Sequence, residues 1–130
     1  SFLSPIYIRV KVLTGDDGTI NTPQLTFYLQ SGEEETFEMN DLNAFRPNQY
    51  DEFLYTVSRD FCDFVGYTIT KPADSNGDDP WDVQEVFIYI DNVLVFGDGD
   101  VAAFTPITPD SYPPNGGWVE TDAYRQGCGG

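Results

Sequence analysis

Histidine is absent from this 130-residue chain and cations are scarce, six Lys and Arg against 22 Asp and Glu. Without histidine there is no Ser-His-Asp or Cys-His nucleophile system and no His-based metal centre. A formal net charge of −16 repels phosphate backbones and anionic lipid surfaces, which argues against nucleic acid as a direct partner. The compact state also repels itself unless cations sit among the carboxylates. No apolar run approaches the roughly 18 residues of a membrane span. No signal-type segment is visible, so the chain is expected to begin as a processed mature protein or as an excised piece. A Gly-rich phosphate loop is missing, and so is any N-linked glycosylation sequon, because Asn21-Thr22-Pro23 has no hydroxyl residue at its third place. A carboxylate-pair hydrolase needs two acids facing each other across a cleft. Nothing singles out such a pair, and the chain is read as non-catalytic.

Two cysteines, Cys62 and Cys128, are present. Paired, they would close a loop worth about 4 kcal/mol in the chain-entropy picture. Acidity, aromatic richness and few lysines point to an extracellular or cell-surface setting. The sequence leaves open whether the two thiols join.

Ten Phe and eight Tyr support a packed core rather than disorder. The stretch Trp81 to Phe96 carries most of the argument. Val86, Ile88 and Ile90 face one side of its first arm, with Val83, Phe87 and Tyr89 on the other. Its second arm sets Val93 and Val95 against Leu94 and Phe96. Asp91-Asn92 between the arms tolerates the positive φ of a two-residue turn. A β-hairpin with two apolar faces follows, and something must cover the second face.

Upstream, Ile6, Ile8, Val10 and Val12 alternate with Tyr7, Arg9 and Lys11. Leu25, Phe27 and Leu29 repeat the pattern. Shorter strands run through Phe37 and Met39, through Phe53, Tyr55 and Val57, and through Val65, Tyr67 and Ile69. Turn-forming clusters separate them, and no stretch holds a 3.6-residue period. The expected fold is all-β, an antiparallel two-sheet β-sandwich of about seven or eight strands over residues 1–104. Residues 105–130 are too rich in Pro and Gly for a central strand, yet Ile107, Tyr112, Trp118 and Tyr124 are too apolar for a free linker. They read as an extended C-terminal arm lying on its own or a neighbouring subunit, over the hairpin's second face.

Several segments, in order, resemble the PLAT (LH2) β-sandwich domains. They are Tyr7-Ile8-Arg9-Val10-Lys11-Val12-Leu13-Thr14-Gly15-Asp16, Phe37-Glu38-Met39-Asn40, Tyr50-Asp51-Glu52-Phe53-Leu54-Tyr55-Thr56-Val57 and Trp81-Asp82-Val83-Gln84-Glu85-Val86. The likeness is greatest to the lipid-binding domain of clostridial phospholipase toxins, and spans roughly residues 6–97. It implies a non-catalytic module that binds membranes or proteins, often through calcium at loop ends. The family's Gly-Thr-Asp segment before the second strand is replaced by Thr19-Ile20-Asn21-Thr22-Pro23, which lacks the aspartate. The acidic loop before Trp81 matches the family's second calcium-bearing loop in place.

That loop, Asp74-Ser75-Asn76-Gly77-Asp78-Asp79, offers carboxylate, amide and carbonyl oxygens within six residues, the ligand types calcium takes. An EF-hand register counted from Asp74 fails, because Asp79 occupies the sixth position that needs Gly. The candidate metal ligands are Asp74, Asn76, Asp78 and Asp79, with Asp16, Asp17 and Asn43 from neighbouring loops. Glu33-Glu34-Glu35 reads as a solvated turn, Asp98-Gly99-Asp100 as another, and Trp81 as a core or rim residue.

Two functions follow. The first is a structural module that self-associates into an oligomer or filament by exchanging its arm, with Val86, Phe87, Ile88, Tyr89, Leu94 and Phe96 meeting Ile107, Tyr112, Trp118 and Tyr124. The alternative is a PLAT-like, calcium-dependent binding module for lipid, glycan or protein.

Overall fold

The computed structural model describes residues 4–19, 22–41, 43–71, 81–104, 110–117 and 122–128, with the side chains of 98–104, 110–117, 122, 123 and 125 outside that description. Eight strands form two four-stranded antiparallel sheets. They are β1 (Ile6–Thr14), β2 (Gln24–Leu29), β3 (Glu34–Glu38), β4 (Gln49–Val57), β5 (Phe64–Lys71), β6 (Trp81–Ile90), β7 (Val93–Phe104) and β8 (Asp110–Gly117). One sheet runs β4-β1-β6-β7 and the other β3-β2-β5-β8. A short helix, α1 (Asp122–Gly127), follows, and a 3-10 turn at Phe61–Asp63 precedes β5. The expected sandwich is the observed one. No helix among the described residues is long and apolar enough to cross a membrane, which says nothing of β-barrels.

Alternation builds the core. Ile8, Val10 and Val12 of β1, Leu25 and Phe27 of β2, and Val86, Ile88 and Ile90 of β6 are all fully buried. Each such side chain contributes about 1.5–3 kcal/mol over its exposed state. Asp91 and Asn92 take φ of 46° and 67°, the left-handed pair of a type I′ turn.

Bulges in β6, β7 and β5 break the simple period. In β6 the pairing to both neighbours shifts around Gln84, so Val83 turns into the core beside Val86 instead of outward with Phe87 and Tyr89. A second shift at Val95 buries both Val95 and Phe96, leaving Leu94 opposite Tyr89 on the outer face. The third, at Val65, sets it aside and brings Phe64 inward with Tyr67 and Ile69. Asp98-Gly99-Asp100, expected as a turn, lies within strand β7.

The arm does not lie over the hairpin's outer face where it is described. The backbone of β8 pairs with β5 in the other sheet, from Lys71↔Asp110 to Tyr67↔Gly117, and takes an edge position. Beyond it, Tyr124 is buried, and its hydroxyl donates to the Phe64 carbonyl (2.9 Å) and accepts from the Phe64 N–H (3.0 Å). Cys62 and Cys128 are joined as a disulfide across 66 residues. The outer face is instead half-covered from within. The Arg9 guanidinium lies 4.1 Å from the Tyr89 ring centroid, and Phe87 lies against the bare backbone of Gly97.

Candidate functional site

At one end of the sandwich, backbone hydrogen bonds tie the β1–β2 connection to the start of β6 and the β3–β4 connection to the β1–β2 one. Gly15 N–H donates to the Asp82 carbonyl (2.8 Å), Asp82 N–H to the Asp17 carbonyl (2.8 Å), and Asn48 N–H to the Gly15 carbonyl (2.8 Å). The Asp82 carboxylate accepts from Asp16 N–H (3.3 Å) and from the Gln84 amide (2.9 Å). Asp16 and Asp17 therefore stand exposed beside the start of β6.

Phe45 anchors the β3–β4 connection. It has φ of 60°, unusual for a bulky residue, and is nonetheless buried. Its ring stacks 5.5 Å from Phe53 and meets Trp81 edge-on at 4.8 Å. Its N–H donates to the Asp51 carboxylate (2.8 Å), and its carbonyl accepts from Thr19 N–H (3.0 Å). Trp81 is fully buried, and its indole N–H donates to the Thr14 hydroxyl (3.2 Å). The reading of Trp81 as a core residue is the observed one. Beside Phe45 opens a cleft of about 510 Å³ lined by Gly18, Thr19, Thr22, Met39, Asn40 and Asp41 among others.

The predicted metal ligands divide. Asp16 and Asp17 share this end with Asn43. The Asn43 side-chain oxygen is already engaged by Arg46 at 2.8 Å, which gives it a cation in place of a metal. Asp74, Asn76, Asp78 and Asp79 lie outside the described residues, and among the described ones no three metal-ligating acids come together. Of the apolar set, Val86, Ile88, Phe96 and Tyr124 pack inside their own chain, whereas Phe87, Tyr89 and Leu94 lie half-buried on the outer face. Tyr112 contributes its backbone to β8, opposite Ile69, while Ile107 and Trp118 are outside the described residues. Sequence reasoning missed the bridging role of Asp82 and the anchoring role of Phe45. The first had a signal, an acid directly after the loop. The second had none, because its role depends on an unusual backbone torsion.

No family model and no curated protein matches the sequence. Solved structures do. The alpha toxin of Clostridium absonum superposes with a TM-score of 0.71 at 17% identity, over 85% of this chain and 31% of that one. The Clostridium perfringens alpha-toxin from an avian strain gives 0.71 at 13%, over 85% and 32%. A lipoxygenase crystallised in complex with arachidonate gives 0.62 at 21%, over 83% and 16%. This chain has a PLAT/LH2-like fold. The PLAT-like sandwich here spans at most about a third of those proteins' length. Identities this low establish shared architecture and no more.

Proposed function

We propose that this PLAT-like sandwich is a non-catalytic binding module that engages lipid headgroups through calcium held at its loop end. The exposed pair Asp16 and Asp17, hydrogen-bonded through backbone to the start of β6, carries the reading. These two carboxylates fit a hard cation, which takes six to eight oxygens on adaptable loops, and Asp74, Asn76, Asp78 and Asp79 would complete the shell. Asn43, tied to Arg46, is dropped from the set. A molecule of charge −16 cannot approach an anionic surface unaided, so a divalent ion shared with phosphate oxygens supplies the attraction its own side chains lack.

The alpha-toxin neighbour and the lipoxygenase in complex with arachidonate support a membrane role over a glycan or protein one. The Cys62–Cys128 disulfide supports an extracellular or cell-surface setting, since such bonds persist in oxidising compartments. Because the arm's β8 pairs with its own β5, the reading is favoured over arm exchange into an oligomer or filament.

Co-sedimentation with phosphatidylserine-containing vesicles tests it. Millimolar calcium should pellet the protein, chelator should release it, and Asp16→Asn with Asp17→Asn should weaken binding at least tenfold. Equal pelleting with and without calcium would overturn the reading.

A further inference from the structure

Each sheet has two edges, and three of the four are guarded. β3 is five residues long and carries Glu34, Glu35 and Glu38. β8 contains Pro113 and Pro114, which have no N–H to offer. β7 has α1 lying against it. The fourth edge, β4, is different. It runs nine residues, Gln49–Val57, without Pro, Gly or bulge, and matches β1 in register along its whole length. Among the described residues no strand pairs with its other side.

The large hydrophobic side chains most exposed among the described residues sit here. Leu54 is 75% and Tyr50 49% exposed on β4, and Tyr7 is 64% exposed on the adjoining β1. Carboxylates flank the same edge. Glu52 lies on its outer side, and β3, with exposed Glu34 and Glu38, runs beside its inner side, where Tyr55 stacks on Phe37 at 4.5 Å. Arg59 pairs with the neighbouring Glu33 at 3.1 Å and Glu35 at 3.6 Å rather than with these three.

We propose that the β4 edge is a strand-addition site for an extended, basic segment of a partner protein, Lys or Arg alternating with β-branched residues. β1 already shows the chemistry β4 accepts on its other side. There Lys11 stands opposite Glu52, Arg9 opposite Leu54, and Arg9 reaches Glu52 at 3.2 Å. Main-chain bonds supply affinity and alternate side chains the choice of partner. A second copy is disfavoured as the occupant, because its own β3 glutamates would face these across the junction. The proposal is independent of the calcium reading, since β4 takes no part in the loop-end ligands.

The probe is acetyl-(Lys-Val)4-amide, followed by amide shifts of the isotope-labelled full chain. Shifts should concentrate in residues 49–57, and affinity should fall several-fold between about 0.05 and 0.3 M NaCl. Strand pairing uses one edge of the probe. Of two probes N-methylated on alternate residues, one should bind as the parent does and the other at least tenfold more weakly. Acetyl-(Glu-Val)4-amide should not bind. Shifts spread over the acidic loops, equal affinity of both N-methylated probes, or β4 signals that follow protein concentration without probe (a second copy as occupant) would each overturn the proposal.

Discussion

Phe45 shows how one side chain can hold a loop in an unfavourable torsion. Its φ of 60° costs of order 1–3 kcal/mol, offset by burial between Phe53 and Trp81. Phe45→Ala should therefore lower unfolding free energy by about 3–5 kcal/mol, read by urea denaturation. Gly18→Ala should act on the same contact, because a Cβ there would collide with the Phe45 carbonyl oxygen, a backbone atom that cannot move aside cheaply. A second residue makes a pH prediction. Burial raises the Tyr55 phenol to about 12, and its hydroxyl donates to the Glu38 carbonyl (3.1 Å). A folded value above the unfolded one near 10 means that the neutral phenol is favoured in the fold. Its contribution is present in full below about pH 10 and is lost as pH rises through about 12. Stability should fall by roughly 1–2 kcal/mol across that window, allowing for partial screening. Tyr55→Phe should flatten that part of the alkaline slope, and a slope unchanged in the variant would contradict the assignment.

At the level of elements, strand positions were legible because inward and outward residues alternate, and β1 and β2 follow that rule without exception on their inward sides. The bulges were not legible. Val65 and Val95 are β-branched residues that suit either face, and Gln84 is an ordinary polar residue, so nothing in their identity marks an extra residue in the ladder. The arm was expected over the hairpin's outer face, whereas its β8 backbone pairs with β5 at the edge of the other sheet. Pro and Gly told that it could not be central, while its partner depended on long-range pairing that no local pattern encodes. Its clasp carries two predictions. Reducing Cys62–Cys128 should cost about 4 kcal/mol in the chain-entropy picture, a fall in Tm of roughly 12–16 °C for a chain of this size. Tyr124→Phe removes both hydrogen bonds its hydroxyl makes with the Phe64 backbone while keeping the ring against Phe61, and should cost about 1–3 kcal/mol. Calorimetry on both would show whether the clasp and the sandwich melt together.

Taken whole, the molecule is an apolar sandwich inside a strongly anionic shell. Asp16 and Asp17 stand beside the start of β6, and the Asn43–Arg46 bond could not be inferred from spacing. Charge itself yields the last prediction. Three ion pairs are formed among the described residues, and all lie on the surface, where such pairs contribute little. They leave most of the 22 carboxylates to repel one another. Sodium chloride screens that repulsion over a Debye length that shrinks from about 30 Å at 0.01 M to about 10 Å at 0.1 M. Melting temperature should therefore climb steeply over that range and level off above it. If calcium binds at the loop end, calcium chloride at matched ionic strength should raise it further, by about 2.7 kcal/mol of stability at a hundredfold excess over Kd, and Asp16→Asn should remove that increment while leaving the sodium response intact. Identical curves for the two salts would reduce calcium to a screening ion.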